Sequence, residues 1–482
     1  MNYRLVLSIL GIVLMGEAAS MLPSSVIAFL TRDGDLKAFL LSAAITVGVG
    51  FLLSLLRPRE AKMQARDGFA TVALSWIFLS IFGALPYFFS SVLPNFFDAV
   101  FETASGFTTT GASVLTFIEG QPRGILFWRA QTQWMGGMGV LVLTLALLPK
   151  LGEGSVYLMR AESPGPIKSK LTPRLADTAK ILYSIYIGLT VLETICLRLA
   201  GVSWYESIIH AFSSISTGGF STRNASIASF DSLLIEWIII IFTFVAGINF
   251  SLLYFAILRN FKAVFQSEEL KCYMLVTLIG SGLIVADLLV HAGEVFSTQT
   301  VTGAVFQVVT LMTTTGYMTR DYVLWPTLSQ VVLILVMFMG ACAGSTAGGI
   351  KQIRVLLLVK NLRREVQRIL RPRQVTTIRS DGDRVDEPTL SGISLFFFAY
   401  ILLLLTGTLV VAWDNVGFDA AFGASLTCIS NVGPAFGVLG PTANFSILSN
   451  FSKLFMSALM LLGRLEIMPL LLLLFPTLWK KR

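Results

Sequence analysis

Four tetrapeptides in this chain place small hydroxylated residues and glycine at matched positions. They are Thr108-Thr109-Thr110-Gly111, Ser216-Thr217-Gly218-Gly219, Thr313-Thr314-Thr315-Gly316 and Ser430-Asn431-Val432-Gly433. Each follows a segment too short or too polar to cross a bilayer, opening at Asp98, Glu206, Gly303 and Asp419. Three residues past each opening stands an apolar side chain (Phe101, Ile209, Phe306, Phe422), and another (Phe107, Ile215, Met312, Ile429) directly precedes the tetrapeptide. The four glycines lie 108, 97 and 117 residues apart. The chemistry these residues support is cation binding by backbone. Rings of carbonyl oxygens can replace an ion's hydration shell, and four loops supply four oxygens per layer. Glycine permits the φ > 0 angles that keep successive carbonyls facing one axis, while Thr and Ser side chains can turn back behind the loop. The short helix before each loop would aim its partly negative C-terminal end at the ion path, with Asp98, Glu206 and Asp419 complementing three N-termini. One such match is also what a turn or a close-packed helix contact looks like. Four in register, each between two apolar spans, point to a filter, because non-helical backbone at membrane depth must line a hydrated path or be buried in protein.

A second cluster sits further along. After the apolar run Val331–Met339 comes Gly340-Ala-Cys-Ala-Gly344-Ser345-Thr346-Ala-Gly348-Gly349, then Lys351. Four glycines in ten residues make poor helix, each costing about 1 kcal/mol relative to Ala, so a break lining a cavity is expected. The alternative is a small-xxx-small packing face, which Gly340, Gly344 and Gly348 also fit. Arg464 stands in the middle of the last apolar run, where a cation is costly unless paired or hydrated. Below a cation filter it would raise an electrostatic barrier and could hold loop carbonyls shut; the structural alternative is a pair with Glu466 or another acid. Glu102, His210 and Gln307 occupy equivalent points of three short helices and are expected to brace the loops by hydrogen bonds. Arg223 and Arg320, four residues past the second and third glycines, are read either as partners of carboxylates at the outer mouth or as solvated surface cations. His291 carries no case for a metal site by itself.

The elements that must position these residues are membrane helices. The chain of 482 residues is 55% hydrophobic and 13% charged, far below the charge of a soluble protein of this length. Ten apolar runs are long enough to cross a bilayer: 5–30, 38–56, 68–90, 125–148, 181–200, 233–258, 272–290, 331–359, 393–413 and 454–478. The net charge of +8 is topological. With the N-terminus inside, 27 of the 36 Lys and Arg fall in cytoplasmic segments, which predicts both termini in the cytoplasm and gives no reason to invoke nucleic acid. The first run is too long, and interrupted by Glu17, for a cleaved signal peptide. Cys196, Cys272, Cys342 and Cys428 are scattered and read as small buried hydrophobes. With two histidines and no clustered carboxylates there is no catalytic constellation, so an enzyme is not expected.

On these motifs the chain resembles the Trk/Ktr/HKT superfamily of potassium transporters. The extra N-terminal helix pair, Arg160-Ala-Glu-Ser-Pro-Gly-Pro166 and Gly463-Arg464-Leu-Glu466 make it most similar to the TrkH branch. The resemblance covers essentially the whole chain. It implies an all-α polytopic membrane protein of four pseudo-symmetric helix–pore helix–loop–helix repeats, laid out as in potassium channels. The expected division is an N-terminal pair at 1–66 and repeats at 67–175, 176–268, 269–385 and 386–482. The family's filter glycines carry over onto Gly111, Gly219, Gly316 and Gly433; glycine at the first, where sodium-transporting relatives have serine, implies K⁺ preference. The resemblance also implies that Gly340–Gly349 is an intramembrane loop blocking the path and that Arg464 is part of the gate. It implies residence in a bacterial cytoplasmic membrane, a homodimer, and docking of a nucleotide-binding regulatory subunit, TrkA, on the basic segment Lys351–Glu387, which also suits lipid headgroups. Nothing in the sequence resembles a phosphate-binding glycine loop, so nucleotide would bind the partner, and K⁺ is the transported ion. The rival reading is a symporter coupling K⁺ to H⁺ or Na⁺, although all the repeats run in one direction where symporters usually show inverted repeats.

Overall fold

The computed structural model describes residues 1–56, 63–139, 175–374 and 376–479. The 160–166 motif and most of the 150–180 basic segment fall outside the described residues. Helices account for nearly all regular structure, and a two-residue antiparallel pair joins Arg379–Ser380 to Asp383–Arg384. Among the described residues six helices are long and apolar enough to cross a membrane: Tyr3–Thr31, Leu36–Ser54, Arg66–Phe89, Thr178–Leu199, Glu268–His291 and Glu387–Ala412. The chain is a multi-pass membrane protein.

Three of the ten runs are broken: the break after Met339 is the one the sequence predicts, and those within 233–258 and 454–478 correct the expectation of uninterrupted spans. The 233–258 run is two helices, Leu233–Ala246 and Phe250–Ile257, bent by 100°. The 331–359 run divides into Thr327–Met339 and Gln352–Leu370, and the 454–478 run into Asn450–Arg464, Met468–Leu473 and Pro476–Trp479. The 125–148 run is described only as Arg123–Gly137. Hydropathy averages composition over a window and does not register a turn of a few residues. The unbroken helices precede the tetrapeptide loops, and the breaks fall in the helices that follow them.

The short helices form as expected, at Phe96–Phe107, Trp204–Ile215, Thr298–Met312 and Phe418–Ser430. Asn95, Ser203 and Ser297 cap the first three by accepting from the backbone amides of Phe97, Glu206 and Thr300. The cap at Ser297 starts the third helix five residues earlier than the sequence reading. Each short helix packs on the helix before it, the helix after it and the post-loop helix of the preceding unit. The series closes on itself: Asn450–Arg464, near the end of the chain, packs on Phe96–Phe107 near its start.

The first two spanning helices cross backbone to backbone. A methyl group on Gly11 would lie 2.4 Å from the Gly50 carbonyl oxygen, whereas Gly48 faces open space. Gly11→Ala should therefore lower stability by about 1–3 kcal/mol through overpacking. Gly48→Ala should be neutral or stabilising, since Ala is the better helix former. Thermal unfolding of the two full-length variants in detergent checks this; equal midpoints would refute the close crossing.

Candidate functional site

All four tetrapeptides adopt one backbone geometry. Their second residues, Thr109, Thr217, Thr314 and Asn431, have φ of 55°, 55°, 58° and 57°. Their fourth residues, Gly111, Gly219, Gly316 and Gly433, have φ of 81°, 77°, 73° and 110°. Glycine is the expected occupant of such positions, but threonine is not: a β-branched residue there is a genuine outlier. The cause is the way each short helix ends. The third-residue amides of Thr110, Gly218, Thr315 and Val432 donate to the carbonyls of Ser105, Ser213, Thr310 and Thr427 at 2.7–3.0 Å. This is the 6→1 bond of a Schellman cap, which requires a left-handed residue just before it. The cap sends loop amides back onto the helix and leaves loop carbonyls available. Asn431 and Val432 depart from the Thr-rich pattern in sequence and keep it in backbone.

The loops also touch in a closed ring. A methyl group on Gly111 would lie 2.2 Å from the Gly218 carbonyl oxygen, one on Gly219 1.8 Å from that of Thr315, one on Gly316 2.0 Å from that of Val432, and one on Gly433 2.7 Å from that of Thr110. Each glycine thus abuts the carbonyl preceding the next loop's glycine, and the fourth loop returns to the first. All four glycines line a single cavity of about 160 Å³. In the first and third loops the hydroxyls of Thr108 and Thr313 donate back to Ala104 and Val309 and meet those of Thr110 and Thr315. In the second loop the hydroxyls of Ser216 and Thr217 donate to the carbonyls of Ser213 and Ser216. The Ser430 hydroxyl bonds that of Tyr400 at 2.6 Å.

A second ring ties the units together outside the loops. Arg129 donates to the Ser221 carbonyl, Tyr317 to Phe220, Tyr322 to Ala435, and the Phe445 amide to Ser113. Arg129 was not singled out from sequence, though a cation inside an apolar run is the signal that singled out Arg464. It is 2% exposed, pairs with the fully buried Glu102 at 2.7 Å and lies 3.8 Å from the centre of the Phe220 ring. Gln133, also missed, clasps the second loop, donating to the Gly218 carbonyl at 2.5 Å and accepting from the Phe220 amide. Glu102 and His210 brace the segments after the first and second glycines through Ser113 and Ser221, and Gln307 reaches the Arg320 carbonyl at 3.4 Å. Arg223 and Arg320 pair with Glu206 and Glu294. His291 pairs with Asp287, and no group of three metal-ligating residues occurs among the described residues. The four cysteines are free thiols.

Beneath the loops, the helix ending at Met339 gives way to the non-helical segment 340–351, with Gly340, Gly344, Gly349 and Lys351 at φ of 65°, 70°, 74° and 79°. Its polar groups are held from several sides. The Cys342 amide donates to Gly247, the Phe250 amide to Gly344, and the Ala343 amide to Glu269, so this break docks into the break at 247–249. Ser345 turns its hydroxyl onto the Cys342 carbonyl. The Gly348 amide donates to the Thr314 hydroxyl at 2.7 Å, and a methyl group on Gly348 would meet the Ser430 carbonyl at 2.3 Å. Arg464, the last residue of its helix, donates to the Thr346 carbonyl at 2.8 Å, the Thr109 hydroxyl at 3.1 Å and the carbonyls of Gly136 and Gly137 at 2.6 Å. Glu466 pairs with Arg354. Lys351, read as the head of a basic tail, is buried and donates to Ala347.

Residues 36–481 match the TrkH family, described as cation transport proteins. The Trk system potassium uptake protein TrkH of Halomonas elongata is 39% identical over 490 residues, covering all of both chains. Its counterpart in Escherichia coli K12 is 38% identical over the full length of both. The crystal structure of the potassium transporter TrkH from Vibrio parahaemolyticus superposes with a TM-score of 0.88 at 34% identity, again covering both chains entirely.

Arg129→Met leaves the Glu102 carboxylate buried without its cation, and is expected to cost about 3–5 kcal/mol. Combining it with Glu102→Gln removes both charges and should recover at least half of that loss. Unfolding midpoints of both variants test the pair; a wild-type midpoint for Arg129→Met would show that it contributes nothing to stability.

Proposed function

The chain belongs to the TrkH family of cation transport proteins, and from that premise we propose that it takes up K⁺ across the cytoplasmic membrane through a gated, selective pore. The observation that carries this reading is the closed ring of four loops in which each glycine abuts the carbonyl before the next glycine. Backbone oxygens of Thr108–Gly111, Ser216–Gly219, Thr313–Gly316 and Ser430–Gly433 coordinate dehydrated K⁺. The short-helix C-termini add partial negative charge at the same place. K⁺ is cargo, and the chain needs no nucleotide of its own.

Gly340–Gly349 is the gate and Arg464 its latch. One guanidinium joins the gate carbonyl of Thr346, the filter hydroxyl of Thr109 and the helix end at Gly136 and Gly137. Opening must break these charge-assisted bonds, each of the stronger kind. The pore is built from repeats 67–175, 176–268, 269–385 and 386–482 behind the 1–66 helix pair, with both termini cytoplasmic. A regulatory subunit resembling TrkA docks on the cytoplasmic face, and two copies of this chain assemble in the membrane.

Coupling to H⁺ or Na⁺ is the second reading. It is favoured by Glu17, fully buried in the first span with neither carboxyl oxygen hydrogen-bonded among the described residues. Full-length protein reconstituted in Na⁺-free liposomes with a K⁺ gradient, with internal pH read beside the flux, separates the two: a pore passes K⁺ without stoichiometric proton movement, whereas a symporter either carries H⁺ with each K⁺ or stays idle without Na⁺. With Na⁺ added to the same assay, Gly111→Ser or Gly316→Ser, each forcing a side chain onto a carbonyl at φ > 0, should lower K⁺ over Na⁺ selectivity several-fold. Unchanged selectivity in both would remove the filter assignment.

Arg464→Ala should raise K⁺ flux per folded molecule in the closed state by one or two powers of ten. A unit charge ~6 Å from the ion contributes about 3 kcal/mol at an effective dielectric near 20, less where water screens it. Arg464→Lys keeps the charge and loses the planar fork of donors, so an intermediate leak is expected. A well-folded Ala variant that stays closed would end the latch.

A further inference from the structure

The helix Gln352–Leu370 and the segment that doubles back along it enclose a cleft of about 190 Å³ away from the four loops. Its lining includes Lys360, Arg363, Arg364 and Gln367 from the helix, and Thr376 and Arg379 from the returning segment. None of the residues lining it is acidic. A volume this far above the ~10–15 Å³ that one water needs has room for a polyatomic ion.

The four cations divide into two kinds. Lys360 and Arg364 are anchored. Lys360 pairs with Glu268 and donates to the Arg379 carbonyl at 2.8 Å, which fixes the returning segment to the helix. Arg364 is 7% exposed and is held by Glu387 at 2.5 Å and by Asn361 at 2.9 Å. Two donors in this anchored layer remain unused: the Arg364 Nε–H and the Thr376 hydroxyl are both buried with no hydrogen-bond partner. Arg363 and Arg379 are exposed, and neither takes part in an ion pair among the described residues. Glu365, the nearest acid on the helix, is engaged by Arg364 and Arg368. A buried unsatisfied donor costs on the order of 1–3 kcal/mol, and the two residues that carry these donors, Arg364 and Thr376, both line the same acid-free cleft. Beside the cleft, the same helix exposes Leu362, Val366 and Ile369 at i, i+4 and i+7, an apolar face of the kind that lies at a membrane surface.

We propose that this cleft is a binding site for a phosphate group, carried by the headgroup of an anionic phospholipid or present as free phosphate. Tetrahedral phosphate oxygens accept from the two unused donors, and Arg363 and Arg379 close on its charge from the rim, the fork of arginine being suited to phosphate. The flanking apolar face gives acyl chains somewhere to lie if the phosphate belongs to a lipid. The site is independent of the ion path and stands whether or not the loops conduct.

The test uses the full-length protein in detergent and native mass spectrometry. Phosphatidylglycerol is titrated against phosphatidylcholine, and inorganic phosphate is titrated separately with the unfolding midpoint as readout. The wild type should retain phosphatidylglycerol over phosphatidylcholine, or be stabilised by inorganic phosphate; the first outcome assigns the lipid source and the second the free ion. Arg363→Gln with Arg379→Gln should weaken that binding at least tenfold, and Thr376→Val, which keeps every charge, at least threefold. Arg371→Gln with Arg373→Gln removes two cations outside the cleft and should change it less than twofold. Retention of neither probe overturns the site. So does equal weakening by the two double variants, which would mean diffuse charge, or no weakening by the cleft variants.

Discussion

A carbonyl oxygen at membrane depth has no bulk water to bond, so exposing a ring of them is tolerable only where something else satisfies the charge. The four loops meet that constraint through helix termination. A Schellman cap sends the loop amides back onto the short helix and leaves the carbonyls over, and it demands a left-handed residue at Thr109, Thr217, Thr314 and Asn431. For threonine that conformation costs roughly 1–2 kcal/mol. Glycine would avoid the cost, but glycine has no side chain. The hydroxyls of Thr109 and Thr314 receive Arg464 and the Gly348 amide from the segment below, while Asn431 reaches the Thr110 hydroxyl of the neighbouring loop. Three of the four strained residues thus bond beyond their own loop, while Thr217 turns its hydroxyl onto the Ser216 carbonyl within it.

Because every glycine rests against the next loop's carbonyl, no loop can take its shape alone. The packing of Asn450–Arg464 on Phe96–Phe107 closes the circle, and the buried Arg129 and Glu102 lock the first unit to the second. Neither ion of that pair is stable in an apolar interior without the other, so it specifies one arrangement of the two units and rejects looser ones.

The broken helices obey the same rule. Each interruption frees backbone groups, and another interruption satisfies them: 340–351 docks on 247–249, and Arg464, at the end of a helix whose next turn holds Glu466 and Ile467 at positive φ, reaches both 346 and 136–137.

Composition and register made much of this legible in the chain itself. An apolar fraction of 55% requires membrane helices, and four glycines at matched places behind short amphipathic segments require four similar loops, because only small residues and glycine fit that backbone. The glycine-rich break and the cation at Arg464 were legible for the same reason, each being too costly in a plain spanning helix. Partners were not. Arg129 finds Glu102 27 residues away and Ser221 92 residues away, Gln133 finds Gly218, and the break at 247–249 carries only one glycine and one asparagine to announce it. Periodicity reports which face of a helix is apolar and says nothing about which distant carbonyl a buried donor will meet. That choice belongs to the closed packing of four units, where low dielectric makes each unpaired polar group expensive and so leaves a single set of pairings.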